Sequence, residues 1–461
     1  MNKIIYKYLL VLISTFSLLG CSDKFWDINT DPNNPSVVTP ALALPSGISG
    51  SVFVIGGYYH ALGSFWTQQY AQAPAASQWL EWESYNLTDD DFDRQFTTMY
   101  SGALTDLQYV REQAKNSSSW PYYSIATLVQ AYDFQVLADL YDQIPFTEAL
   151  KGSTILQPKY DKGALVYDSL FARIDDAISR NLTNVPASLE TSDVLLGGDM
   201  DAWIAFGNTL KLKMYLRYVN VDPNKYKSQI IALLNENNFL TKDVRFTAFK
   251  AQETGYNPFY NTFVDRLAGN IVANKTLVNY LENNNDPRLQ KFFNASVTGS
   301  IYASVATGES KTLLGTINNY ATPNIGQIDP VYLFTKEEVL FMIAEAQARY
   351  KTSAEAQATY LKGIKASLSR YGLPEDTVSY SYNGIKSIIE QKWIAATNLR
   401  AIEAYFDFNR TGYPDFFSTS LTSVLSGNAR PKRLFFPATE RKTNANTPDR
   451  VPLTEKVWWG L

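Results

Sequence analysis

TKEEVLFMIAEAQARYKTSAEAQATYLKGIKASLSRYG, residues 335–372, is the stretch whose reading decides the fold class of this chain. Thr335 precedes Glu338 by three residues, and Thr352 precedes Glu355 by the same interval. Both are capping-box patterns, in which a hydroxyl and an acid satisfy backbone N–H groups left open at a helix start. After the first box, Leu340, Ile343, Ala344 and Ala348 recur at helical spacing and predict one apolar stripe. Two helices, a tight turn and alanines at the contact make a helical hairpin of the tetratricopeptide type.

The same texture extends outward. In residues 122–146, Ile125, Leu128, Tyr132, Val136 and Leu140 fall three or four apart, the face of a packed helix. From about Ser51 the pattern turns helical, and further helices are expected over about 163–180, 201–219, 226–235 and 273–283. Asp201 is a candidate cap and Asp222-Pro223 a stop. NGIKSIIEQKWIAATNLRAIEAYFDFNR, residues 383–410, is expected as one long helix, ended by Gly412 and Pro414. Helix pairs recur loosely, without a strict repeat at the period of about 34 residues typical of tetratricopeptide arrays. Between 241 and 334 Asn, Gly, Thr and Tyr dominate, which predicts a loop-rich segment on the helical scaffold, where binding groups tend to sit. The fold class is therefore mainly α, with helical hairpins supporting a loop-rich ligand-binding face.

The amino-terminal end is of another kind. Lys3 and Lys7 precede an apolar run from Leu9 to Leu19, the layout of a secretory signal. That run closes on Leu18-Leu19-Gly20-Cys21, and Cys21 is the only cysteine among 461 residues. An internal disulfide is thereby excluded. Beyond the signal, no apolar run of about twenty residues is evident, so no further membrane span is expected. Asp, Asn and Pro crowd the next stretch and read as an extended tether. The expected layout is a signal over 1–20, a tether over 21–45 and a helical domain over 46–461. Asp27, Asn29 and Asp31 have the spacing of a calcium loop, but Pro32 stands where an EF-hand needs Gly, so turn chemistry is the better reading and no metal is expected.

Composition narrows the function. A formal net charge of −4 lacks the basic footprint of a nucleic-acid binder. The one histidine, His60, is read as structural, and neither a Gly-x-Ser-x-Gly elbow nor a His-Glu-x-x-His pair occurs. No cofactor is expected. Tyr, Phe and Trp make up 14% of the chain, and such rings offer flat faces for sugars as well as core packing.

Eight landmarks carry a family resemblance: FWDINTDPNNPSVVTP at 25–40, LADLYDQIPFTEAL at 137–150, PKYD at 158–161, GGDMDAWIAFGNTLKLKMYLRY at 197–218, NDPRLQKFF at 285–293, EVLFMIAEA at 338–346, EQKWIAATNLRAIEAYFDFNRTGYPDF at 390–416 and PKRLFFPATERKTNAN at 431–446. In this order they resemble the SusD/RagB family of Bacteroidetes outer-membrane lipoproteins, and Leu18–Cys21 resembles their lipobox. The resemblance implies a lipid-anchored Cys21 in the outer membrane and a body at the cell surface. It also implies a partner, a SusC-type TonB-dependent transporter, to which an oligosaccharide or, in some members, a peptide is delivered. One buried acyl chain holds only marginally, and two or more hold stably.

A non-catalytic glycan binder needs aromatic faces and amides. The richest set is FWTQQYAQAPAASQWLEWESYN, residues 65–86, with Trp66, Gln69, Gln78, Trp79, Trp82 and Tyr85. On a helix Trp79 and Trp82 share a face, giving either a two-ring platform or a core pair. GYNPFYNTF adds Tyr256, Asn257, Tyr260 and Asn261, and NNYATPN adds Tyr320 and Asn324. A surface glycoside hydrolase would need two acids about 5 to 9 Å apart, and the spacing of Glu81, Glu83 and TDDDFD selects no such pair. The TDDDFD acids are read as a helix start, with Asp89 or Asp90 as cap. Trp393, Arg400 and Arg410 are read as packing residues, and Arg430, Lys432 and Arg433 as ion-pairing ones. No enzymatic activity is expected.

Overall fold

The computed structural model describes residues 38–461. The signal, Cys21, the tether up to residue 37 and the Asp27, Asn29, Asp31 trio lie outside the described residues. The first helix, α1 (Pro40–Trp66), starts eleven residues before Ser51 and inside the stretch expected to be tether. Pro40 sits at the first helical position, where no amide is needed, so a residue read as a breaker opens the helix. α1 is also apolar and long enough to cross a membrane by composition, against the expectation from sequence. In the fold it is a core helix, burying Leu44, Ile48 and Val52. Its glycines admit close neighbours: a Cβ on Gly63 would lie 2.3 Å from the backbone of Ala401 and Ile402.

Next come α2 (Leu80–Ser84), α3 (Asp93–Thr98, continuing through a π-helical turn at Met99–Leu104 into Thr105–Asn116) and α4 (Trp120–Tyr141). Every residue of α4 after Trp120 is buried, which makes it the central helix. Asp89 and Asp90 do not cap α3, which follows Phe92 without a side-chain cap. Asp91 instead accepts from the Thr88 amide, and Asp93 from that of Thr439. α5 (Gly163–Ser179), α6 (Met200–Tyr218), α7 (Lys227–Glu236) and α8 (Lys275–Asn283) fall where the spacing placed them. The α6 cap is Asp199 rather than Asp201: its carboxylate accepts from the Ala202 amide.

The deciding stretch forms α9 (Lys336–Tyr350) and α10 (Ser353–Arg370). Thr352 and Glu355 make the full capping box; Thr335 caps α9, but Glu338 turns inward and pairs with Arg400 at 3.1 Å. Phe341 and Ala344 of α9 meet Tyr360, Ile364 and Leu368 of α10 in one cluster. The ring of Phe341 fills the space a side chain on Gly363 would occupy. α9 is not a one-stripe helix: Leu340 and Ile343 are only half-buried, whereas Glu337, Glu338 and Glu345 are buried.

The long helix expected over 383–410 is two, α11 (Gly384–Ala395) and α12 (Ala401–Thr411). Asn398 takes φ 61°, and its amide donates to the Phe292 carbonyl at 2.7 Å, a long-range bond that local periodicity does not reveal. A last helix, α13 (Ala438–Thr443), follows.

Five buried cations and five buried acids tie these helices together. Arg217 of α6 pairs with Asp139 at 3.2 Å, Glu403 at 2.9 Å and Asp407 at 3.3 Å. Lys213 meets Glu403 at 2.8 Å, Lys392 meets Asp407 at 2.7 Å, Arg400 reaches Glu338 and Glu403, and Arg410 reaches Glu345 and Asp407. Opposite charges at these distances hold the Glu345 and Glu403 carboxyls down to about 2 despite their burial.

Strands are short and pair two by two, all antiparallel. β1 (Tyr70–Gln72) pairs with β5 (Ile271–Ala273), β2 (Gln143–Pro145) with β3 (Tyr160–Lys162), β4 (Val244–Phe246) with β8 (Val331–Phe334), and β6 (Phe293–Asn294) with β7 (Thr322–Pro323). Most of them punctuate the loop-rich segment at 241–334.

Candidate functional site

The aromatic run before β5 folds inward. Trp79, the residue just before the short helix α2, and Trp82 on it do lie side by side, with ring centroids 4.5 Å apart, but the pair packs on Tyr58, Phe92 and Phe263. Both rings are buried, as are Trp66 and Tyr85. Trp66 donates through Nε1 to the Trp82 carbonyl at 3.1 Å. Gln69 is likewise buried and donates to the Trp393 carbonyl. These residues form the floor of the region and present no two-ring platform to solvent.

Two other predicted residues, Gln78 and Tyr320, both border the small sheet of β1 and β5. Ala71 and Ala73 of the β1 strand segment, Val272 of β5 and Val305 make a small apolar cluster, against which Tyr320 packs, half-buried, beside Ile317 and Leu313. The exposed Gln78 lies next to the same sheet, its backbone N–H donating to Asn270 Oδ1 at 3.4 Å. The phenol of Tyr320 donates to the Leu314 carbonyl at 3.3 Å, and the Leu314 side chain stands free in solvent at 93% exposure. Ile301 is exposed on the same excursion between β6 and β7. The result is a surface with an aromatic ring, apolar side chains and amides, the groups that stack on sugar C–H faces and bond hydroxyls.

Glu83 fastens this face to the body. Its carboxylate accepts from the amides of Gln72 at 2.8 Å and Gly308 at 3.1 Å, and burial pushes it up to about 7. Glu81 accepts from Asn86 at 2.7 Å. His60 is buried, accepts from the Ala401 amide through Nδ1 at 3.2 Å, and is lowered to about 3 by desolvation, so it is neutral at pH 7.

Two of the remaining candidates border a cleft of about 200 Å³. Asn257 and Asn324 line it together with Lys291, Asp329 and Asn398. Asn257 is committed to structure: its Oδ1 accepts from the amides of Phe259 and Tyr260, and its Nδ2 donates to the Asp329 carbonyl. That cap starts a π-helical turn at Tyr260–Arg266. Tyr256 and Tyr260, half-exposed, meet edge to face at 5.3 Å. Sequence reading passed over Asn270, Ile301, Leu314 and Lys291. Of these only Asn270 carried a signal, the Gly269-Asn270 turn pair before an apolar strand.

With this geometry in place, the comparisons are specific. A family model described as starch-binding and associating with the outer membrane, SusD-like, matches residues 37–437, and the chain belongs to that family. Among solved structures, a SusD homolog from Bacteroides uniformis superposes with a TM-score of 0.76 at 23% identity, covering 91% of this chain and 99% of its own. A SusD/RagB family protein from Bacteroides thetaiotaomicron gives 0.76 at 19%, covering 92% and 99%. A chitin-binding SusD homolog from Flavobacterium johnsoniae gives 0.73 at 19%, covering 90% and 98%. No curated protein matches the chain.

Proposed function

We propose that the chain is a lipid-anchored, cell-surface binding protein that captures an oligosaccharide on its loop-rich face and passes it to a SusC-type TonB-dependent transporter in the outer membrane. The observation that carries this reading is membership, over residues 37–437, of a family described as starch-binding and associating with the outer membrane. A fold shared with a chitin-binding homolog supports it. Gln78 and Tyr320, with Asn270, form the primary contact surface, and Tyr256 and Tyr260 flank it. Trp66, Trp79, Trp82 and Tyr85 serve from beneath, and Asn257 shapes the adjoining cleft. Cys21 carries the lipid, the signal over 1–20 is discarded, and the residues after Cys21 tether the body.

The protein binds without catalysis. Glu83, which fastens this face, is buried and occupied by two backbone amides, which leaves it unsuited to protonate a glycosidic oxygen.

Two experiments test the proposal. Full-length protein should remain in the membrane fraction after alkaline washing, and Cys21→Ala should leave it; retention of the variant would sink the anchor. Affinity purification from outer membranes should recover a TonB-dependent transporter, and its absence from crosslinked samples would remove the delivery step.

A further inference from the structure

α9, α10 and the β4 strand border an open groove of about 1030 Å³, which shares Tyr332 and Arg370 with the cleft at Asn257. Its lining carries six cationic side chains and three acidic ones, in a chain whose formal net charge is −4. Three of the cations are neutralised. Arg370 is clasped by Glu337 at 2.6 Å and Asp243 at 2.7 Å, Lys242 pairs with Asp199 at 2.7 Å, and Lys365 lies 3.7 Å from Glu375. Among the described residues the other three, Arg245, Lys336 and Lys362, form no direct ion pair, although Arg245 stands close enough to Asp243 to help hold its carboxyl down.

This arrangement is costly for folding alone, since like charges facing one concavity repel. In a cleft, charges of one sign concentrate the field and draw in an anion. The cations are also spread over three walls: Arg245 on β4, Lys336 at the first position of α9, and Lys362 on the exposed side of α10. They suit an extended ligand with charges repeated along its length better than a single small anion. Leu340 and Ala366, partly exposed between them, supply an apolar strip of the kind that sugar C–H faces cover. The clasped Arg370 lies over the Tyr332 ring at 4.9 Å and makes one end of the groove rigid. The volume sits at the upper end for ligand clefts, large enough for several sugar units.

We propose that this groove is a second binding site, which takes an acidic oligosaccharide with a carboxylate or sulfate on successive units, held by Arg245, Lys336 and Lys362. The choice of carbohydrate over other anions rests on the proposed function; the choice of charge rests on the groove alone.

The test uses full-length protein in detergent, titrated calorimetrically with a galacturonate hexasaccharide, a neutral maltohexaose and a hexaglutamate peptide. The galacturonate should bind, weaken steeply as salt is raised, and lose about tenfold in affinity in the double variant Lys336→Ala/Lys362→Ala, as expected for two lost exposed charge pairs. Retained near-ultraviolet circular dichroism would show the variant folded, and Tyr320→Ala should leave galacturonate binding unchanged. Equal galacturonate affinity in the wild type and double variant would overturn the proposal. So would hexaglutamate binding at least as tightly as galacturonate, which would make the groove a docking surface for acidic protein segments. Failure of the glycan reading itself would show separately, as loss of every neutral-sugar interaction on the loop-rich face.

Discussion

Replacing Arg217 by Met tests whether the buried charge network is balanced as a unit. Arg217 is 1% exposed and contacts three carboxylates that are themselves no more than 2% exposed. Met fills much of the volume but leaves five buried acids against four cations. Asp139 suffers most, because among the described residues Arg217 is its only ion-pair partner; its other contacts there are with Gln135, Tyr167 and Trp459. Breaking a buried pair on one side costs about 3–5 kcal/mol. For a body of roughly 420 residues, unfolding entropy near 2.1 cal/mol/K per residue turns that into a fall of roughly 3–6 °C in Tm. Asp139, already raised by burial, should then take up a proton, so the deficit should grow from pH 5 to pH 8. Adding Asp139→Asn should recover part of the loss, since Gln135 Oε1 is buried without a partner and is available to the new amide. Urea unfolding followed by tryptophan fluorescence measures all three chains. A loss below about 1 kcal/mol, or no recovery in the double variant, would refute the reasoning.

Four further outcomes follow from the structure. Glu345 and Glu403 sit at about 2 when folded and nearer 4.5 when unfolded, so their stabilisation is complete above pH 4.5 and is lost as pH falls towards 2, as urea titrations across that window should show. Asp133, buried against Ser51 and raised to about 8, acts with the opposite sign: its folded form holds a proton that its unfolded form releases, so stability falls as pH rises from about 4 to 8, and Asp133→Asn should flatten that slope. Glu83→Gln leaves one of two backbone amides unaccepted, which should cost about 1–3 kcal/mol and speed hydrogen exchange at Gly308 without slowing exchange in α4. Gly63→Ala would place a methyl 2.3 Å from the α12 backbone, and thermal denaturation should show a loss of about 1–3 kcal/mol or more from the forced separation of the two helices.

The helical scaffold was legible because its signals are local. The Thr352–Glu355 box, the acid before α6 and the stop at Gly412 act within a turn or two, and the structure carries each, with the α6 cap shifted from Asp201 to Asp199. What escaped depends on distant partners. The break at Asn398 is held by a carbonyl 106 residues away. The acids of α9 and α12 are buried because cations distant in sequence reach them: Lys213 and Arg217 of α6 meet Glu403, while Arg400 and Arg410 meet Glu338 and Glu345. The candidate site was legible in part. Helical spacing placed Trp79 and Trp82 side by side, yet it is silent on which side of the helix meets the core. Gln78 and Tyr320 both border the β1–β5 pair, which joins segments about two hundred residues apart.

The most direct test of the account is calorimetric titration of the full-length protein with neutral oligosaccharides of the starch and chitin types, alongside peptides of similar length. Saturable binding of at least one glycan is expected, weakened at least about tenfold by the double variant Gln78→Ala/Tyr320→Ala and unaffected by Lys336→Ala/Lys362→Ala. Binding of peptides but no glycan, or glycan binding indifferent to Gln78 and Tyr320, would contradict it.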